Sequence, residues 1–89
     1  QGDNATALGR NAGTTSQATS AVAMGYYAGN STQGDSAVAV GSQAGQTSQG
    51  GNSVAIGNYS GNNTQGVNST AVGVQAGETT QGPSSAAIG

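Results

Sequence analysis

Residues 49–64 read QGGNSVAIGNYSGNNT, and this stretch decides the fold of the chain. Its one short apolar run, SVAI at 53–56, stands among Gly, Asn, Ser, Thr and Gln, and offers too little apolar surface to form a core by itself. The same pattern fills all 89 residues, as five full repeats of sixteen residues over 1–80 and a partial repeat over 81–89. We therefore expect a single repeat domain over 1–89, which we interpret as a segment of a longer fibrous protein.

Four positions of the repeat never vary. The first holds Gln, the seventh holds Ala, and the ninth and thirteenth hold Gly. Fixed glycines at a constant period are typical of a solenoid whose chain turns at each glycine. An α-helical repeat is disfavoured by the Gly, Asn, Ser and Thr content, and collagen would need Gly at every third residue. The sequence thus predicts an all-β solenoid, a parallel β-roll with two short strands per coil.

The first strand of each repeat alternates small and larger side chains. In SVAI, Ser53 and Ala55 share one face of the strand, and Val54 and Ile56 share the other. We expect the small residues to fill a roll so narrow that only a methyl group fits. The reverse orientation, with Val and Ile inside a monomer, stays open from the sequence alone. The predicted interior alanines are Ala7, Ala23, Ala39, Ala55, Ala71 and Ala87.

Polar residues such as NNT at 62–64 form the predicted second strand, and the following Gln-Gly is expected to turn the chain back. Coils stacked about 4.8 Å apart would make a rod about 26 Å long. Identical side chains would then lie above one another, and the glutamines could hydrogen-bond as an amide ladder. The predicted ladder comprises Gln1, Gln17, Gln33, Gln49, Gln65 and Gln81.

The larger side chains of the first strand would leave an apolar stripe along the outside of the roll. Burying one Val or Ile side chain stabilises by roughly 1.5–3 kcal/mol, and contiguous exposed apolar patches normally mark an interface. Because every coil carries the stripe, the simplest partner is another copy of the same chain. The predicted interface residues are Leu8, Val22, Met24, Val38, Val40, Val54, Ile56, Val72 and Ile88.

Charge and composition exclude several classes of function. Only 4% of the residues are charged, and one Arg without any Lys cannot neutralise a nucleic-acid backbone or hold an anionic membrane surface. The chain has no His and no Cys, and its acids, Asp3, Asp35 and Glu78, are too far apart in the repeat to act as a catalytic pair. We therefore expect no enzyme and no cofactor. A single ion on a symmetry axis, held by three copies of one side chain, stays open as a possibility.

The motif NSVAIG at 52–57 resembles the head repeat of YadA-like trimeric autotransporter adhesins, as do its variants NSTAVG at 68–73, DSAVAVG at 35–41 and TSAVAMG at 19–25. Similar repeats occur in tail and surface fibres of viruses and phages. The resemblance covers the whole chain and implies a left-handed parallel β-roll, with three rolls packed side by side as a homotrimer. The repeat is longer here than is usual in that family, so its turns are expected to differ.

The resemblance also implies a non-enzymatic segment of an extracellular fibre, anchored at a cell surface or carried by a virion, that attaches to a host protein, glycan or matrix. Tyr26, Tyr27 and Tyr59 follow the strand glycine, where they could stack on a sugar, dock a host protein or cover the seam between rolls. The alternative function is ice binding by the Thr and Ser columns of a rigid, nearly uncharged solenoid. The candidate surface contacts are Tyr26, Tyr27, Tyr59, Thr32, Thr64 and Thr80.

Overall fold

The computed structural model describes residues 4–14, 16–77 and 80–88, which form a parallel β-solenoid of about five coils. Within these residues there is no helix, and hence none that is long and apolar enough to cross a membrane. Sheet A has six strands: β1 (Thr6–Leu8), β3 (Val22–Met24), β5 (Val38–Val40), β7 (Val54–Ile56), β9 (Thr70–Val72) and β11 (Ala86–Ile88). Sheet B has five: β2 (Ser16–Gln17), β4 (Thr32–Gln33), β6 (Ser48–Gln49), β8 (Thr64–Gln65) and β10 (Thr80–Gln81). The predicted all-β parallel solenoid is confirmed.

Each strand pairs with the strand one repeat later, so that equal positions of the repeat become neighbours. Ala39 lies beside Ala23 and Ala55 in sheet A, and Gln49 lies beside Gln33 and Gln65 in sheet B. Strand boundaries differ from the prediction. Sheet A strands have three residues, and sheet B strands contain the Gln that was expected to turn the chain back. The glutamine column therefore belongs to a strand and faces the interior of the roll.

The turns continue the pairing of the strands. Residues with left-handed backbone, such as Asn52 (φ 55°) and Tyr59 (φ 63°), reverse the chain on either side of β7. Their amides nevertheless donate to the preceding coil: the Asn52 amide bonds to the Asp35 carbonyl at 2.8 Å, and the Tyr59 amide bonds to the Ser42 carbonyl at 2.9 Å. Backbone groups that loops usually leave to water are thus satisfied between coils.

The interior of the roll is built from methyl groups. Ala23, Ala39, Ala55 and Ala71 have no exposed surface, and the first three pack with Ala12, Ala28 and Ala44 of the turns after β1, β3 and β5. Val and Ile of the same strands point outward, so the reverse orientation is excluded for these residues. Two predicted interior alanines differ: Ala7 is exposed and Ala87 half-buried, because their strands, β1 and β11, lie at the edges of sheet A.

Three interior residues, Ser53, Ser60 and Ser69, are Ser where other coils hold Ala, and the Ser60 hydroxyl donates to the Gly57 carbonyl at 3.1 Å. Ser53 and Ser69 are fully buried. The Ser53 hydroxyl donates to the Gly50 carbonyl at 2.5 Å, and the Ser69 hydroxyl donates to the Gly66 carbonyl at 2.6 Å. Because each hydroxyl bonds to the carbonyl three residues earlier, a polar atom is tolerated inside the roll without a partner in another coil.

Replacing Gly57 by Ala is expected to destabilise the roll strongly. Gly57 has a φ of 123°, which L side chains rarely adopt, and an added Cβ would lie 2.7 Å from the Gly73 carbonyl oxygen. We expect Gly57→Ala to lower the free energy of unfolding by about 3 kcal/mol, measured by urea denaturation. Gly51→Ala is the matched control, since its nearest contact would be an ordinary 3.6 Å. Equal unfolding midpoints for the two variants would contradict this account.

Candidate functional site

The outward side chains of sheet A form the candidate site, which we call the apolar face. Its most exposed members are Leu8, Met24, Ile56 and Ile88, with 38–78% of their surface accessible. The predicted interface residues Val22, Val38, Val40, Val54 and Val72 also lie on this face and are half-buried. Thr6 and Thr70 are the polar positions among them. The face runs over all six strands of the sheet.

The apolar side chains lie outside because the interior is already full. The glutamines of sheet B enter it from the opposite side, and Gln33, Gln49 and Gln65 retain only 1–2% of their surface. Their Nε2 atoms donate to the carbonyls of Val22, Val38 and Val54 at 2.5, 2.6 and 2.6 Å. These bonds cross the roll from sheet B to sheet A, and they leave no space for a branched side chain between the sheets.

This arrangement differs from the predicted glutamine ladder. The amides of Gln33, Gln49 and Gln65 bond to backbone carbonyls and not to one another, and their Oε1 atoms are buried without a hydrogen-bond partner. The physical reason is that a strand carbonyl on the facing sheet is within reach of each Nε2 atom. Gln1 lies outside the described residues, as do the side chains of Gln17 and Gln81.

The second glycine column makes room for these glutamines. A Cβ at Gly29, Gly45 or Gly61 would lie 2.9–3.0 Å from the side-chain amide carbon of the Gln four residues later. The invariant Gln and the second invariant Gly of the repeat therefore pack against each other. The sequence signal for it was present, since the first position of the repeat is never Asn or Ser, although an exposed amide ladder would tolerate either.

A sequence model of the YadA head domain repeat matches residues 1–28, 46–60 and 61–77, which is more than half of the chain. The chain belongs to the YadA head repeat family. The resemblance predicted from the NSVAIG motif is thereby confirmed. No curated protein and no solved structure matches the chain. The matched residues of this YadA head repeat include Gln49 and Gln65 of the inward glutamines, and Leu8, Val22, Met24, Val54, Ile56 and Val72 of the apolar face.

The outer turn of this YadA head repeat carries side-chain amide hydrogen bonds between coils that the sequence did not predict. The Asn62 side-chain nitrogen donates to Gln46 Oε1 at 3.0 Å and to the Gln43 carbonyl at 2.8 Å. Two coils earlier, the Asn30 side-chain nitrogen donates to the Asn11 carbonyl at 2.8 Å. These bonds fasten the turn from one coil to the next on the outside of the roll.

An aromatic cluster lies on the turn that follows β3 of the YadA head repeat. The rings of Tyr26 and Tyr27 are 4.5 Å apart, and the Arg10 guanidinium lies 5.8 Å from the centre of the Tyr26 ring. Tyr26 is 44% exposed, whereas Tyr27 and Tyr59 are half-buried and have left-handed backbone. Tyr26 is therefore the most accessible of the three tyrosines for contact with another molecule.

Sheet B presents a narrow polar row to solvent. Each of its strands has two residues, and one of them is the inward Gln, so that a single outward position remains per coil. Thr32 and Ser48 at this position are exposed, and the side chains of Thr64 and Thr80 lie outside what the structure describes. A row one residue wide is not the flat surface of paired Thr rows that ice binding would require.

Charged groups form no site within the described part of this YadA head repeat. No three His, Cys, Asp or Glu side chains lie together there as a metal site would need. Asp35 is exposed on the turn before β5, and Asp3 and Glu78 lie outside the described residues. The apolar face and the aromatic cluster thus remain as surface features with a chemical character of their own.

Proposed function

We propose that this chain is a non-enzymatic segment of an extracellular trimeric fibre that attaches to a host surface or matrix. Three rolls lie side by side in it, and their apolar faces pack together about a common axis. The observation that carries the proposal is the apolar face, which is continuous over the six strands of sheet A. Membership in the YadA head repeat family supports it independently.

The energetics of a single roll favour such assembly. Among the residues that the structure describes, the buried apolar ones are all alanines, and the largest fully buried side chains are Gln and Ser. One buried methyl group contributes only about 0.8 kcal/mol, whereas a fully buried Ile or Met side chain contributes roughly 1.5–3 kcal/mol. The larger apolar side chains of the chain therefore stabilise the fold fully only when another molecule covers them.

The rest of the surface suits an adhesive fibre. The formal net charge of the chain is only −2, and residues with hydroxyl or amide side chains are abundant in its sequence. Weak contacts repeated along a rod and in three copies would add up to firm attachment. In this proposal the candidate contacts are Tyr26, with Tyr27 and Tyr59 beside the seams, and the outward positions of sheet B that include Thr32, Thr64 and Thr80.

The first experiment is the solution mass of the chain by light scattering on a sizing column. The trimer has a mass three times the 8.4 kDa of one chain. A folded species with the mass of one chain at micromolar concentration would overturn the proposal, because the apolar face would then be stable in water.

Replacing Tyr26 by Ala is expected to weaken attachment to a glycan array without changing the mass. Loss of one aromatic stacking contact in each of three chains should lower the retained amount about tenfold. Asn58→Ala is the matched control, because Asn58 is exposed at the equivalent turn position two coils later. Equal retention of the two variants would remove Tyr26 from the contact surface.

A further inference from the structure

Two exposed valines flank one strand of sheet A. Val67 lies in the turn before β9, and 51% of its surface is accessible; Val74 lies in the turn after β9, and 67% of its surface is accessible. We call the turns before the sheet A strands the leading edge and the turns after them the trailing edge. Val67 and Val74 therefore occupy opposite edges of the same coil.

Single exposed apolar residues need no explanation, but these two are not scattered. Thr70 and Val72 lie between them on the outer side of β9, so that coil presents an exposed valine at each edge and Val72 on the face. In no other coil are both positions aliphatic: the leading edge holds Asp3, Thr19, Asp35, Gly51 and Pro83, and the trailing edge holds Arg10, Tyr26, Ser42 and Asn58. The exposed edge valines are thus matched with each other at one height on the roll.

The first repeat has a second matched pair in its sequence. Its leading-edge position is Asp3 and its trailing-edge position is Arg10, so the two edges carry opposite charges there. Asp3 lies outside the described residues, and Arg10 is exposed. The two edge positions are thus both apolar in the fifth repeat and oppositely charged in the first.

We infer that the leading edge of one roll meets the trailing edge of the next roll at the same height, with Val67 of one chain against Val74 of its neighbour. This inference rests on the proposed trimer. A rotation about an axis parallel to the rolls preserves height, so each coil meets the equivalent coil of the next chain, and the contact is between unlike edges. Antiparallel rolls would instead bring like edges together, at different heights.

The occupant of each exposed valine is therefore a second copy of this chain. Both positions lie in the turns that border β9, and a contact confined to the outward side chains of the strands would leave them exposed. The match of leading and trailing positions within a coil also favours one axial register, because a slip by one coil would pair Val67 with Asn58 and Pro83 with Val74 in one direction, and Gly51 with Val74 in the other.

The test uses charge pairs at the two edges of the full chain. Val67→Lys with Val74→Asp places opposite charges on the edges that meet. Val67→Lys with Val74→Lys, and Val67→Asp with Val74→Asp, place like charges there. All three double variants lose the same two valines, and both positions are exposed in one roll. Circular dichroism would check that each variant keeps the fold of the parent.

We expect the opposite-charge variant to assemble on the order of a hundredfold more tightly than either like-charge variant, since each of three contacts contributes up to about fivefold. The difference should shrink at high salt. If net charge alone decided the tightness of assembly, the order of the three variants would differ. The two-lysine variant would be formally neutral, because the parent has a net charge of −2, and it would assemble most tightly.

Either equal assembly of the three variants or the order set by net charge would overturn the edge contact. The parent separates this result from failure of the proposed function. A trimeric parent with indifferent variants removes only the edge contact, whereas a monomeric parent removes the trimer itself.

Discussion

Replacing Ile56 by Asp is expected to convert the proposed trimer into folded monomers. Ile56 lies on the apolar face, and 40% of its surface is accessible in one roll, so a carboxylate there remains solvated until rolls pack together. In the trimer three such carboxylates would be buried without a partner, and each would weaken assembly by roughly 2–5 kcal/mol. Light scattering should give the mass of a single chain, with the circular dichroism of the parent.

Ser48→Asp is the matched control for that change. Ser48 is exposed on β6 in sheet B, one strand earlier in the chain and on the opposite side of the roll. It introduces the same charge at a surface that the proposed trimer leaves in water, so its mass should equal that of the parent. A trimeric Ile56→Asp variant, or loss of assembly in both variants, would contradict packing through sheet A.

Gln49→Glu is expected to lower the free energy of unfolding by about 3–5 kcal/mol at pH 7, which urea denaturation would measure. Gln49 is only 2% exposed, and its Nε2 atom donates to the Val38 carbonyl. A carboxylate has no proton to donate there, so one acceptor would face another inside the roll. Gln49 Oε1 already lacks a partner, and no donor is placed to receive the new charge.

The same variant gives a pH test. Burial raises the pKa of the introduced carboxyl above its unfolded value, because desolvation disfavours the charged form. The loss of stability therefore develops as pH rises through the unfolded pKa, about 4.3, and is smallest below it, where the carboxyl is neutral in both states.

Gln46→Glu controls for the chemical change alone. Gln46 Oε1 accepts from the Asn62 side chain, and a carboxylate can accept the same bond. Glu78 occupies the equivalent position of the fifth repeat, so the repeat already tolerates this residue. A loss of stability at position 46 as large as at position 49 would mean that the inward glutamine is not special.

The period of the sequence was sufficient to predict coil, pairing and register. Because a constant repeat without insertions places equal positions side by side, the pairing of Ala39 with Ala23 and Ala55 followed directly. The size alternation in SVAI also indicated which face enters the roll, although it left the reverse orientation open. Local patterns decide these features, and local patterns can be read from the sequence.

The environment of the glutamines could not be read in the same way. Whether the Gln49 amide bonds to its neighbours in the stack or to a carbonyl of the facing strand depends on the distance between sheets A and B. That distance depends on the small alanines of sheet A and on the close contact between Gly45 and the Gln49 side chain. No single column of the repeat shows how these two combine. The second strand was therefore expected to end one residue too early.

Edge residues escaped prediction for another reason. Val67 and Val74 occupy variable columns, so the repeat pattern treats them as unconstrained. Their relation appears only when the fold places them on opposite sides of β9 and leaves both accessible. Variable positions in a repeat are thus where contacts specific to one coil can be found, while invariant positions report on the roll itself.

The direction of the bonds between coils decides how the rod responds to mechanical force. Strands and turns alike bond each coil to the next, as from the Val38 amide to the Ser53 carbonyl, so these bonds lie along the axis. A pull on the two ends therefore loads the coils in series, and a terminal coil peels away before the others. Each released coil of sixteen residues lengthens from about 4.8 Å to roughly 53–58 Å of extended chain. Under tension the rod becomes an extensible tether that dissipates work in equal steps and keeps its remaining coils intact.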